Sequence, residues 1–439
     1  MATTFLSKSV GSINEKTFTT SFWVKKTTLG DEQHIFGNFV DGNNRTHFFF
    51  RNEDTFQVFQ NIGGTAHSCI TNRKFRDTNA WYHIVVAIDT TQATASNRCR
   101  IYVNGVEETL DGPTYHNQNT DLSIRGTHYI GKYYGSNDHY FGGGLSHLHF
   151  IDGTNYDATA FGETDSTTGE WKIKTSPSVT YGTEGYFILK DGNSVTNQAG
   201  NSAGNFSVGG GTLTKTEDNP SNVFATFNAL IPYNGTFSNG MTTYQAPSSN
   251  PVFGSLSTLG MSSGKFYAEC KYSAGSNHYL ILGIADNNFN PNASTPDDLG
   301  KTGTTKSIAY VVNTGAYRVN NNNTSWGSAG GDGDILQIAV DKDNNKVFFG
   351  VNGTWGASSN PATGSYGIDV SSVLTGDTWF FGVSNDTGAS ETVAQFNFGN
   401  GYFGTTAVSS AGTNASGNGI FEYDVPTGYT ALSTKGLNL

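Results

Sequence analysis

Apolar and polar positions trade places every second residue over much of this chain. In residues 18–24, Phe18, Thr20, Phe22 and Val24 alternate with Thr19, Ser21 and Trp23, the period of a strand with two unlike faces. Further strands are predicted at 34–39, 46–51 and 55–62, separated by DGNN (41–44) and NED (52–54). Gly and Asn tolerate positive φ and Asp caps its own turn, so these separators are turns. Residues 81–89 (WYHIVVAID) are almost continuously apolar, as expected of a central strand covered on both faces. Residues 99–103 and 106–109 flank Asn104-Gly105, a hairpin signal. Strands at 127–132 and 145–152 follow, then a polar excursion over 153–178 with a helical turn at 158–161, then a returning strand at 185–190.

The second half follows the same logic, with strands at 264–272, 278–284, 307–312, 335–340, 346–351, 379–384, 392–397 and 429–432. One hairpin recurs. In both 84–105 and 336–353 an apolar strand ends in Asp, crosses a polar turn and pairs with a strand ending in V-N-G. The reading is all-β: two tandem antiparallel sandwiches of jelly-roll type at 1–190 and 223–439, joined by a Gly/Asn/Ser/Thr-rich linker at 191–222.

Composition supports the class. The 439 residues include 55 glycines, 13% aromatic and only 14% charged residues, against about 25% charged in an average globular chain. Gly, Asn, Ser and Thr all disfavour long helices. A net charge of -11 argues against binding a phosphate backbone, which would need a basic stripe; RKFR at 73–76 is the densest basic run and reads as a turn. No nucleic-acid partner is expected. Cys69, Cys99 and Cys270 form no framework of spaced pairs; Cys69 and Cys99 allow a bridge, but burial as small hydrophobes is preferred. The opening MATTFLSKSVGS has no apolar signal core, and no apolar run reaches about 18 residues. Synthesis in a reducing cytoplasm without membrane insertion is expected.

Catalytic patterns are sparse. A sandwich glycosidase needs two carboxylates a few ångströms apart, normally from alternate residues of one strand. Glu163 and Asp165 have that spacing but sit in a Gly/Thr-rich stretch that reads as a loop. The sequence holds no nucleophile elbow, zinc-protease helix or phosphate loop. His128, His139, His147 and His149 lie close in sequence, but one strand face supplies only two zinc ligands. Asp41, Asp286 and Asp341 open Asp/Asn-rich turns that make them candidate calcium ligands, with turn capping as the ordinary role. No cofactor is expected, with calcium as the exception these turns allow. Aromatic residues in loops are the better recognition signal. Tyr133, Tyr134, His139 and Tyr140 share one Gly-rich loop, and Trp326 and Trp355 lie in Asn/Ser/Gly-rich loops of the second half.

The strings FTTSFWVKK, WYHIVVAID, RIYVNGVE and YIGKYYG followed by GGGLSHLHFIDGT resemble the laminin-G-like, concanavalin-like lectin/glucanase sandwich. GKFYAECKY, YLILGIA, DILQIAVDKDNNKVFFGVNGTW, FNFGNGYF and VPTGYTALSTKGLNL are similar to SPRY domains. The junction, FIDGTNYDATAFGETDSTTGEWKIK through YGTEGYFILK to NPSNVFATFNAL, resembles laminin-G/SPRY proteins of marine bacteriophage virions. That resemblance implies a non-enzymatic virion protein, a tail- or head-fibre-like appendage that contacts host-surface glycan or protein and other virion proteins. It would be made in the host and released by lysis. A homo-oligomer is expected, a trimer as its form. The alternatives are a capsid-decorating protein, a glycan-degrading enzyme and a peptide-binding SPRY adaptor.

Overall fold

The computed structural model describes residues 3–134, 138–190, 194–231, 235–247, 252–273, 280–290, 298–301, 306–385 and 392–438. Residues 135–137 of the tyrosine loop, 191–193 of the expected linker and 278–279 of the expected strand 278–284 lie outside them. Among the described residues, regular structure is β-strand interrupted by single 3-10 turns. None of their helices is long and apolar enough to cross a membrane.

The first unit is two facing antiparallel sheets. Among the described residues one runs in the order Ser207–Gly209, Phe5–Val10, Gly126–Ile130, Gln33–Asp41, Asn44–Phe50, Thr55–Ile62, Thr65–Lys74. The other runs Tyr186–Ile188, Gly143–Asp152, Thr17–Lys26, Tyr82–Asp89, Cys99–Val103, Val106–Glu107. Alternation places Phe18, Phe22 and Val24 from one sheet against Phe36, Phe48 and Phe50 from the other, all fully buried. Each contributes roughly 1.5–3 kcal/mol by leaving water.

The continuous apolar strand is covered twice, as its pattern requires. Ile84, Val86 and Ile88 enter the inter-sheet core. Val85 and Ala87 meet Ile151, Ala158 and Phe161 on the outer face, beneath the excursion. The excursion carries the expected turn as Ala158–Ala160, with Asp157 accepting from the Thr159 N–H. Trp171 pins it down by donating its indole N–H to His83 Nδ1 at 3.0 Å. Gly105 is needed at that contact, because a Cβ there would stand 2.5 Å from the Trp171 ring.

Much of the expected linker packs with the first unit. Phe206 is buried in the first core, and Ser207–Gly209 pairs with Phe5–Ser7. Asn201 donates to the carbonyls of Gly182 and Gly185. Contacts divide the chain into Met1–Lys215 with Asn219–Ser221, and Thr216–Asp218 with Asn222–Leu439. The physical reason is the open edge of strand Phe5–Val10: its unpaired backbone groups accept any extended partner, polar or not.

In the second unit, among the described residues, one sheet runs Thr236–Ser238, Thr243–Gln245, Val393–Asn397, Lys265–Ser273, Ile335–Asp341, Lys346–Val351, Thr354–Trp355. The facing sheet runs Val252–Leu256, Trp379–Asn385, Leu280–Asp286, Ser307–Val311, Ala316–Val319, Asn322–Ser325. Phe266, Ile284, Ile338, Phe349, Trp379 and Phe396 fill the space between them. The recurring hairpin is real in chemistry as well as letters. Asn104 and Asn352 both take φ of 48°, followed by Gly105 and Gly353 at 84° and 80°. Each asparagine also accepts a backbone N–H from the neighbouring strand, His83 in one unit and Ile335 in the other.

Candidate recognition site

The outer face of an antiparallel sheet is normally polar. In the first unit it carries rings. Backbone register lines up Tyr129, Gly37, His47 and Phe59 across four strands, and His34 stands opposite Phe49 in the neighbouring row. The loop after Gly126–Ile130 then folds back over this face. Gly131, at φ 85°, donates to the Ile35 carbonyl, and the His34 N–H donates to the His139 carbonyl at 3.0 Å.

That fold-back lays Tyr133 and Tyr134 on His47, with ring centroids 5.1 and 4.8 Å away at interplanar angles of 19° and 25°. Tyr134 also stacks on Phe39 at 4.2 Å, itself 37% exposed. The two tyrosine hydroxyls are 3.3 Å apart. His34 stacks on Phe49 at 4.7 Å and meets Tyr133 edge-on at 4.9 Å. His139 is exposed, 5.9 Å from His34. Tyr140 turns the other way, toward Phe5 at 6.4 Å, where the Lys132 ammonium lies 4.1 Å over the Phe5 ring. The structure thus gathers Tyr133, Tyr134 and His139, and sets Tyr140 apart from them.

His47 is the polar centre of the cluster. It is 2% exposed, and neither ring nitrogen has a protein partner. Burial, and then the neighbouring His34, push its pKa down to about 2, so the ring is neutral with one N–H and one lone pair. His34 is also held neutral by burial. Its Nε2 lies 2.9 Å from Glu32 Oε1; a carboxylate only accepts, so Nε2 carries the proton. Nδ1 of His34 then presents an unused lone pair. Burial pushes the Tyr133 hydroxyl up to about 12. The half-buried Tyr133 and Tyr134 offer flat rings and hydroxyls that suit stacking on a ring-shaped hydroxylated ligand held without bond-making, while the His34 and His47 nitrogens lie beneath them, closed off from solvent.

Sequence reasoning missed His34, His47, Phe39, Phe49 and Phe59. Their signal was present: the strand Asn44–Phe50 ends in H-F-F-F, which leaves aromatic rings on both faces at a period of two.

The remaining candidates have local roles. Trp326 donates to the Phe349 carbonyl at 3.0 Å and packs on the second core, and Trp355 packs against Tyr267 at 6.3 Å. Asp41 accepts from the Asn43 N–H and the Asn44 amide, Asp286 from the N–H groups of Asn288 and Gly376, and Asp341 from Asn344 and Lys265. These are turn caps. Among the described residues, no three His, Cys, Asp or Glu side chains converge as metal ligands would. His128 bonds Tyr186 and the Ile124 carbonyl, His149 bonds Tyr181, and His147 bonds Ser146.

Glu163 and Asp165 differ from expectation in one respect. Glu163 lies in a short ladder, Gly162–Thr164 with Trp171–Ile173, because the turn after it is closed by Asp165. Lys172 sits between both carboxylates at 3.5 and 3.2 Å. Backbone N–H groups of Thr167 and Thr168, with Lys172, hold Asp165 down to about 2, whereas a general acid needs a raised pKa. Ser21 lies 2.8 Å from His83 Nε2, but His83 Nδ1 accepts from Trp171, so Nε2 is the protonated nitrogen and cannot take the serine proton.

Residues 3–159 match the laminin-G-type model of the concanavalin A-like lectin/glucanases superfamily. No curated protein sequence matches the chain. Among solved structures, the human HERC1 SPRY domain is 15% identical, over 35% of this chain and 86% of that one, with a TM-score of 0.27. A SAP-like pentraxin from Limulus polyphemus is 15% identical over 34% and 69%, with a TM-score of 0.27. Domains LG4-5 of the mouse laminin alpha1 chain are 9% identical over 90% and 85%, with a TM-score of 0.30. These are likenesses of fold.

Proposed function

We propose that this chain is a non-catalytic recognition protein that binds a host-surface glycan on the outer face of its first sandwich. In this reading it is carried on a bacteriophage particle as a receptor-binding appendage. The observation that supports recognition is the cluster of partly exposed rings, Tyr133, Tyr134 and Phe39, stacked on one another and on His47. The phage setting rests on the sequence resemblance of the junction. A shallow face gives weak single contacts; copies held together as a homo-oligomer, a trimer in this reading, multiply them. The reading requires no cofactor.

The test is a glycan-binding screen of the whole chain beside Tyr133→Ala and Tyr134→Ala. Loss of one stacked ring should weaken binding roughly tenfold. Unchanged affinity in both variants removes this face from the reading. Imaging of the particle tests the setting: a first unit projecting into solvent supports attachment, and one buried against the shell supports a decorating protein instead.

A further inference from the structure

Two thiols face each other inside the first sandwich. Cys69 lies on the inner face of strand Thr65–Lys74, opposite Val58. Cys99 opens strand Cys99–Val103 in the other sheet, opposite Ile88. Both are free and buried in the same core, and Cys69, together with burial, raises the Cys99 pKa well above its ordinary value. They share the wall of one small cavity with Gln60, His67 and His116, a space for about one water molecule.

Segment 114–116 closes the cavity along the sheet edge, held by the Thr114 N–H to the Ser68 carbonyl at 2.8 Å and by His116 Nε2 to Gln60 Oε1 at 2.9 Å. Edge bonds of this kind open locally long before a domain unfolds. While it is shut, Cys69 and burial keep Cys99 protonated and inert.

We infer that Cys69 and Cys99 form a disulfide latch between the two sheets when the protein meets a small-molecule disulfide such as oxidised glutathione. One protein thiolate attacks a glutathione sulfur and expels one glutathione thiolate. The second protein thiolate then attacks the mixed disulfide and expels the other. Two protein thiols are oxidised and one glutathione disulfide is reduced, and the two protons from the cysteines pass to the expelled glutathione thiolates to give two glutathione thiols. The chain is then unlatched where it is made under reducing conditions and latched in an oxidising medium.

The experiment uses the full reduced chain with oxidised glutathione, followed by peptide mapping. The expected product has lost two hydrogens, joins the peptides containing Cys69 and Cys99, and leaves Cys270 as a thiol. The thermal midpoint of the first unit should rise by roughly 5–10 °C and fall back with dithiothreitol. Cys69→Ser and Cys99→Ser should each abolish the cross-link and the shift. Separate glutathione adducts without a cross-link, a bridge to Cys270, or free thiols persisting in sub-denaturing urea would each overturn it. The wild-type mapping decides the matter even where a serine variant folds poorly.

Discussion

His47→Phe should make the protein more stable. The imidazole is buried and neutral, with a donor and an acceptor that no protein group meets. A buried polar group left unpaired costs about 1–3 kcal/mol, and phenylalanine removes two of them. The flat contacts with Tyr133, Tyr134 and Phe59 are kept, because each is ring against ring. The added ring carbon has room beside Gly37, where even a Cβ would stand 3.6 Å from Nδ1. Allowing about 1 kcal/mol for imperfect repacking, the net gain should be about 1–5 kcal/mol. Urea unfolding of the full chain, with the first unit's transition resolved from the second's, measures it. A variant less stable than wild type by about 1 kcal/mol would refute the reasoning, since the nitrogens would then have partners that phenylalanine removes.

Asp54→Ala should destabilise the first unit by about 3–5 kcal/mol, because it strands the fully buried Lys26 ammonium and releases Arg76 and the Gly30 N–H; a loss below about 1 kcal/mol in urea unfolding contradicts that. Glu269 makes the second unit sensitive to pH. Burial outweighs its bonds from the Tyr423 and Glu422 N–H groups and the Tyr267 hydroxyl, and pushes its pKa from 4.5 up to about 7. A folded pKa above the unfolded one gives stability that is whole below about 4.5 and lost as pH rises to about 7, worth about 3 kcal/mol. Unfolding midpoints of the second unit should therefore fall from pH 5 to pH 8, and that fall should be absent in Glu269→Gln; an unchanged slope in the variant assigns it to other groups.

Strand existence was legible where the apolar pattern was strong, alternating at Thr17–Lys26 and nearly continuous at Tyr82–Asp89. It was not legible at Ser207–Gly209, Thr236–Ser238 or Asn322–Ser325, whose side chains are mostly exposed and polar. Such segments become strands because an edge supplies their hydrogen bonds, which no local pattern encodes. The tyrosine loop was visible from its composition, but its floor was not. His34 and His47 are thirteen positions apart on different strands, and each looks like an ordinary strand residue until register sets them 5.3 Å apart.

By itself the sequence determined what is local: the period of two, the Asn-Gly corners with their left-handed backbone, and the doubly apolar strand that demanded cover on both sides. These follow from bond geometry and side-chain direction within a few residues. Only the tertiary structure decided which outer face collects rings, that the loop bearing Tyr133 and Tyr134 lands on His47, and that Cys69 meets Cys99 across the core. Those contacts join positions from thirty to nearly ninety residues apart. Nothing short of strand register and sheet-on-sheet packing brings such groups within reach of one another.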